Sequence, residues 1–187
     1  MHRGTLCPLQ GWGSDPMKYE YKREPLTSDE ANQLSNSCQT YKEKLIIWTL
    51  LDTGLRVAEF CALDKESMDW QTHRLTVRKG KGGKRRIILL KQARSRDILE
   101  GHLANQEIMG IEPRTCQKII RKVANRAKIK RPCSPHVLRH TFAVQALKKG
   151  VNIVMLGKML GHESINTTMI YLNLSPEDVI KEMDEKL

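Results

Sequence analysis

Two arginines, two histidines and a late tyrosine are the residues of this chain best suited to chemistry: Arg56 in Thr53-Gly54-Leu55-Arg56, His136 and Arg139 in His136-Val137-Leu138-Arg139-His140, His162 in Leu160-Gly161-His162, and Tyr171. No carboxylate is among them. Such a set suits a site that holds a phosphodiester with cations and attacks it with a phenol. Guanidinium forks bind phosphate oxygens in pairs, and preorganised cationic donors stabilise the extra charge of a pentacoordinate transition state. His136 and Arg139 are three apart, so a helix places them on one face. In its first turn, backbone N–H groups and the helix dipole also favour an anion. A capped helix with a surface His and Arg accounts for that pair alone equally well. His136 and His140 have the spacing of two zinc ligands, but H-E-x-x-H is absent and no acidic residue lies near, so no metal site is expected. Taken singly, His162 reads as a surface histidine and Tyr171 as a half-buried core tyrosine. Arg56 follows a glycine inside an apolar stretch, where a semi-buried arginine needs an anionic partner.

Charge supports a polyanionic partner. The 187 residues carry a net charge of +11, and no acidic residue lies between Glu112 and Glu163. Arg114, Lys118, Arg121, Lys122, Arg126, Lys128, Lys130 and Arg131 crowd the first half of that interval. A one-sided basic middle is the footprint of nucleic-acid binding; a merely solvated basic face is the alternative. After His162 the sign reverses, with Glu163, Glu177, Asp178, Glu182, Asp184 and Glu185. No stretch approaches 18 consecutive apolar residues, so no membrane span is expected. The first residues lack a charged start followed by an apolar core, which makes the cytosol the expected address. Five cysteines, Cys7, Cys38, Cys61, Cys116 and Cys133, are odd in number and never form C-x-x-C. They read as buried or idle thiols rather than a disulfide framework or zinc site.

The elements that must position these residues follow from local signals. Residues 1–24 read as an irregular lead-in broken by Gly11, Gly13 and Pro16. Thr27-Ser28-Asp29-Glu30 is a capping box that opens a helix. A second helix is expected from about Tyr41 to Leu51, and a short third one opened by Arg56, with Val57, Phe60, Cys61 and Leu63 packing inward. Residues 74–78 and 86–90 are strand-like and joined by Lys79-Gly80-Lys81-Gly82-Gly83-Lys84-Arg85, which predicts a β-hairpin with a basic, glycine-rich tip. The rest looks helical: 115–127, then a helix capped by Ser134-Pro135 and stopped at Gly150, then Ile153 to Leu160 ending at Gly161, then an acidic helix at about 176–186. The fold class is α+β, mainly helical, with one small antiparallel sheet.

The hairpin tip fails as a nucleotide P-loop, because Lys84 is followed by Arg85 rather than Ser or Thr. It fits an arm that tracks a phosphate backbone, and a lysine there can protonate a leaving alkoxide. The contacts to double-stranded DNA expected from charge are Lys79, Lys84, Arg85 and Arg86 at the tip and Arg114, Lys118, Arg121 and Lys122 on the basic helix.

Four segments, Thr53-Gly54-Leu55-Arg56-Val57-Ala58-Glu59, Gly80-Lys81-Gly82-Gly83-Lys84, Pro135-His136-Val137-Leu138-Arg139-His140-Thr141-Phe142-Ala143 and Leu160-Gly161-His162-Glu163-Ser164-Ile165-Asn166-Thr167-Thr168-Met169-Ile170-Tyr171, closely resemble the tyrosine recombinases, or phage integrases. The resemblance covers about residues 25–175 in the family's order. It implies an integrase-type catalytic domain over 25–187 that cleaves and rejoins DNA without metal or ATP. Tyr171 would be the nucleophile, leaving a 3′-phosphotyrosyl enzyme and a free 5′-hydroxyl. Arg56 and Arg139 would clamp the non-bridging oxygens, with His162 adding a hydrogen bond. Lys81 would protonate the leaving oxygen, Lys84 being the reserve for that role, and His136 would assist proton transfer at the tyrosine. Family members usually carry an N-terminal helical domain that closes around DNA, for which residues 1–24 are too short. Self-association on DNA, through the C-terminal helix, is a further expectation. Type IB topoisomerase-like relaxation and a catalytically weak or inactive DNA-binding module remain open as alternatives.

Overall fold

The computed structural model describes residues 24–78 and 85–162. Helix α1 (Ser28–Asn36) begins at the expected capping box: Thr27 Oγ1 accepts from the Glu30 amide at 3.2 Å and the Glu30 carboxylate accepts from the Thr27 amide at 2.9 Å. A second box that the sequence reading did not single out, Thr40 with Glu43, starts α2 (Tyr41–Thr53). Helix α2 is the centre of the fold. Leu45, Ile46, Ile47 and Leu50 are fully buried. Packed around α2 are α1, α4 (Ala93–Asn105), α5 (Pro113–Arg126) and α6 (Pro135–Lys148). Trp48 is half-buried and its indole donates to the Ser35 carbonyl at 3.3 Å. The short α3 (Val57–Cys61) buries Phe60 completely, with Val57 and Cys61 half-buried and Leu63 buried just beyond it.

One antiparallel sheet, in the order β1 (Met68–Asp69), β2 (Arg74–Val77), β3 (Arg86–Leu89), completes the layer beside the helices. The two expected strands pair with Leu75 opposite Ile88 and Val77 opposite Arg86. Leu75, Val77, Ile88 and Leu90 face the core, whereas Ile87 and Leu89 face outward, as the period of two requires. The connection 79–84 lies outside the described residues, as do residues 1–23, Tyr171 and the acidic segment at 176–186. Helix α5 turns Cys116, Ile120, Val123 and Ala124 inward, and α6 starts at the Ser134 cap with Pro135 in its first turn. Helix α7 (Ile153–Leu160) packs on α6 through a smaller apolar cluster of Ala143, Ala146, Leu156 and Leu160. Cys38, Cys61, Cys116 and Cys133 are free thiols. Among the described residues no helix is long and apolar enough to cross a membrane.

Candidate active site

The site is built around two glycine-capped helix ends. Gly54 closes α2 in the left-handed conformation, φ 63°, and a side chain there would collide with the Phe142 ring. Glycine is therefore required by both backbone and space. The reversal it creates sets Arg56 at the head of α3. Gly161 closes α7 in the same way, φ 67°, and delivers His162 at the turn.

Three consecutive carbonyls at the carboxyl end of α7 each accept from a different arginine. Arg86 Nε donates to Met159 O at 2.8 Å, Arg139 Nη2 to Leu160 O at 2.6 Å, and Arg56 Nη2 to Gly161 O at 3.3 Å. The last carbonyls of a helix lack intrahelical partners and sit at the negative end of its dipole, which favours cations there. Arg139 also donates from Nη1 to Gly54 O at 2.7 Å, so one buried side chain ties the end of α2 to the end of α7.

A buried carboxylate completes the cluster. Glu59 accepts from Arg56 Nη1 at 2.9 Å and from the Arg56 amide at 2.8 Å. It also accepts two parallel bonds from Arg86, at 2.9 and 2.6 Å, and Arg139 Nη1 lies 3.9 Å away. Burial alone would raise the Glu59 pKa; hydrogen bonds from Arg86 and Arg56 outweigh it and hold the carboxyl below its ordinary value. Glu59 is the anionic partner that a semi-buried Arg56 demanded. The readable signal was its position three residues after Arg56, where it also caps α3.

His162 is half-buried beside these cations. Burial, followed by Arg139, Arg56, Arg86 and His140, depresses its pKa to about 4. Its imidazole is therefore neutral at neutral pH, a hydrogen-bond donor that adds no charge. The structure thus brings Arg56, Arg139 and His162 together around one turn. His136 is exposed in the first turn of α6, three residues before Arg139, and lines a cleft of about 630 Å³ with Arg121, Lys130, Arg131 and Val57. Lys81 and Tyr171, like Lys79 and Lys84, fall outside the described residues.

Arg86 lies inward. It was expected to reach a phosphate backbone, yet its side chain is only 9% exposed and is held by Glu59 and Met159. The strand period explains this, because Arg86 shares the inner face with Ile88 and Leu90. Arg85 is exposed, and so are Arg114, Lys118, Arg121 and Lys122 along α5; Lys122 lies 3.7 Å from Glu43. Among the described residues no group of His, Cys, Asp and Glu is placed to hold a metal ion.

Comparison with known proteins agrees with this architecture. The model of the phage integrase family matches residues 24–178. Tyrosine recombinase XerA of Saccharolobus solfataricus is 33% identical over 172 residues, which cover 89% of this chain and 58% of that protein. A crystal structure of XerA recombinase superposes with a TM-score of 0.77 at 29% identity, over 91% of this chain and 66% of that one. The structure of XerH site-specific recombinase bound to difH substrate shares the fold, with a TM-score of 0.73 at 21% identity over 85% of this chain and 53% of that one. The chain thus spans about three fifths of the length of the curated relatives it matches. With its family match over most of its length, the chain belongs to the phage integrase family, that of the tyrosine recombinases.

Proposed function

We propose that residues 25–187 form the catalytic domain of a site-specific recombinase that cleaves and rejoins double-stranded DNA through a phosphotyrosyl intermediate. The observation that carries this reading is the convergence of Arg56, Arg139 and His162 on the Leu160–His162 turn. A guanidinium has five N–H donors, so backbone anchoring and phosphate binding are compatible on one side chain. The Tyr171 oxygen attacks the scissile phosphorus. A new P–O bond forms to the tyrosine, the bond to the 5′ oxygen breaks, and the 3′ phosphate stays on the enzyme. Lys81, with Lys84 in reserve, gives a proton to the leaving 5′ oxygen, while His136 takes the phenolic proton. Arg56, Arg139 and neutral His162 stabilise the developing charge. A 5′-hydroxyl from another strand reverses these steps, and the retained phosphoester makes ATP unnecessary.

The exposed basic stripe of α5, with Arg85, Lys79 and Lys84 of the hairpin, supplies backbone contacts whose affinity falls with salt. The XerH recombinase bound to its difH substrate has this fold, which supports DNA as the partner. Self-association on DNA through the acidic segment at 176–186 and a cytosolic address belong to the same reading. The test is a nicked duplex that traps the covalent adduct on a denaturing gel. Wild type should form an adduct and Tyr171→Phe none; an adduct that persists in the variant overturns the assignment.

A further inference from the structure

Strand β3 sends one charged side chain into the interior. Arg86 lies opposite Val77 and closes its fork on Glu59 with two parallel hydrogen bonds, while Nε holds the Met159 carbonyl. Gly161 rests against the same guanidinium: a Cβ there would come within 3.1 Å of Arg86 Nη1 and 3.2 Å of its Cδ. We infer that Arg86 is a positioning residue for strand cleavage, fixing through Glu59 and the Met159–Gly161 turn where Arg56, Arg139 and His162 stand. This inference rests on the function proposed above.

Geometry makes the link specific. Glu59 receives two bonds from Arg86 and two from Arg56, so Arg86 occupies half of the described donors around a buried carboxylate. Without it, the unsatisfied oxygens would draw on the nearest remaining cations. Those are Arg56, whose bond to Gly161 O is the longest of the three to the turn, and Arg139, 3.9 Å from Oε2. Either movement takes a phosphate-clamping arginine away from its place. Lysine cannot substitute, because a single ammonium cannot make the parallel pair and also reach Met159 O in the same plane. Arg86 also follows directly on the connection that carries Lys81. The same side chain therefore fastens the root of that hairpin to the turn bearing His162.

The test compares Arg86→Gln and Arg86→Lys with wild type, using a labelled nicked duplex. Affinity is read across a salt series, and single-turnover adduct formation at saturating DNA. Both Arg86 variants should keep the wild-type salt slope while saturated cleavage falls by about 10²-fold, the cost of a displacement on the order of 1 Å in a catalytic group. A salt slope lowered by about 1 with normal saturated cleavage would assign Arg86 to the DNA backbone instead, and full rescue by lysine would remove the need for a fork. A second readout needs no cleavage: NMR titration of His162 in DNA-free protein, assigned with His162→Gln. Loss of Arg86 should raise its pKa from about 4, since a nearby cation is gone and Glu59 is less compensated. An unchanged titration in folded Arg86→Gln overturns the inference. Absence of any adduct from wild type would instead overturn the recombinase reading, with the titration still deciding the place of Arg86.

Discussion

The carboxyl end of α7 and the outer face of α5 both gather cations, and they hold them in opposite ways. Around α7, Arg56, Arg86 and Arg139 are fixed by three successive carbonyls and one buried carboxylate. Along α5, Arg114, Lys118, Arg121 and Lys122 project into solvent from one stripe. Charges of the first kind are screened little and cost no reordering when a substrate anion arrives. Those of the second kind are mobile, strongly screened and tolerant of position, which suits reading a regular phosphate backbone. Under the proposed function, one region would serve rate and the other affinity, although the residue types are nearly the same.

The sharpest way to break this division is to remove a cation from the α7 end. Arg139→Ala should lower saturated single-turnover cleavage by about 10²–10³-fold, with the salt slope of binding retained. A variant that lost affinity in proportion, with normal saturated cleavage, would erase the distinction. Next comes the backbone that anchors this arginine. Gly54→Ala forces a side chain into the left-handed region and against Phe142, and should cost about 1–3 kcal/mol of stability, seen as a lowered Tm. On the other side of the comparison, Lys118→Ala and Arg121→Ala should each reduce the salt slope of DNA binding by about 1, leaving cleavage at saturation unchanged.

The smallest effect is a pH dependence at the inner edge of α5. There Arg126 hydrogen-bonds Glu43 and, against the effect of burial, helps hold its pKa at about 2 instead of 4.5. The stability contributed by ionised Glu43 is fully present above about pH 4.5 and is lost as pH falls through about 2. The stability gap between wild type and Glu43→Gln in denaturant titrations should therefore be constant at neutral pH and close in strong acid.

Much of this was legible because helix ends announce themselves. The Thr27–Glu30 box, the Ser134-Pro135 start and the Gly161 stop all appear where their local chemistry places them. Strand β1, two residues long, has no periodicity to read. Helix α4 lies within the stretch read as helical, but its bounds were hidden by its charged, weakly amphipathic sequence, in which only Ser95, Ile98, Leu99 and Leu103 are buried. Within the site, the types and spacing of Arg56, Arg139 and His162 pointed to one another through a shared chemistry. The inward place of Arg86 was not read because its place in a basic run masked its place in the strand period. The acceptors at Gly54, Met159 and Leu160 could not be read at all, since backbone carbonyls leave no trace in residue identity.

That silence has a consequence for how such a site can vary. Every amino acid brings the same carbonyl, so genetic drift at Met159, a half-buried position, changes a side chain without erasing the acceptor that Arg86 uses. The orientation of the arginines is inherited with the path of the chain rather than with a matching partner residue, and lineages can diverge around the cluster while its geometry persists.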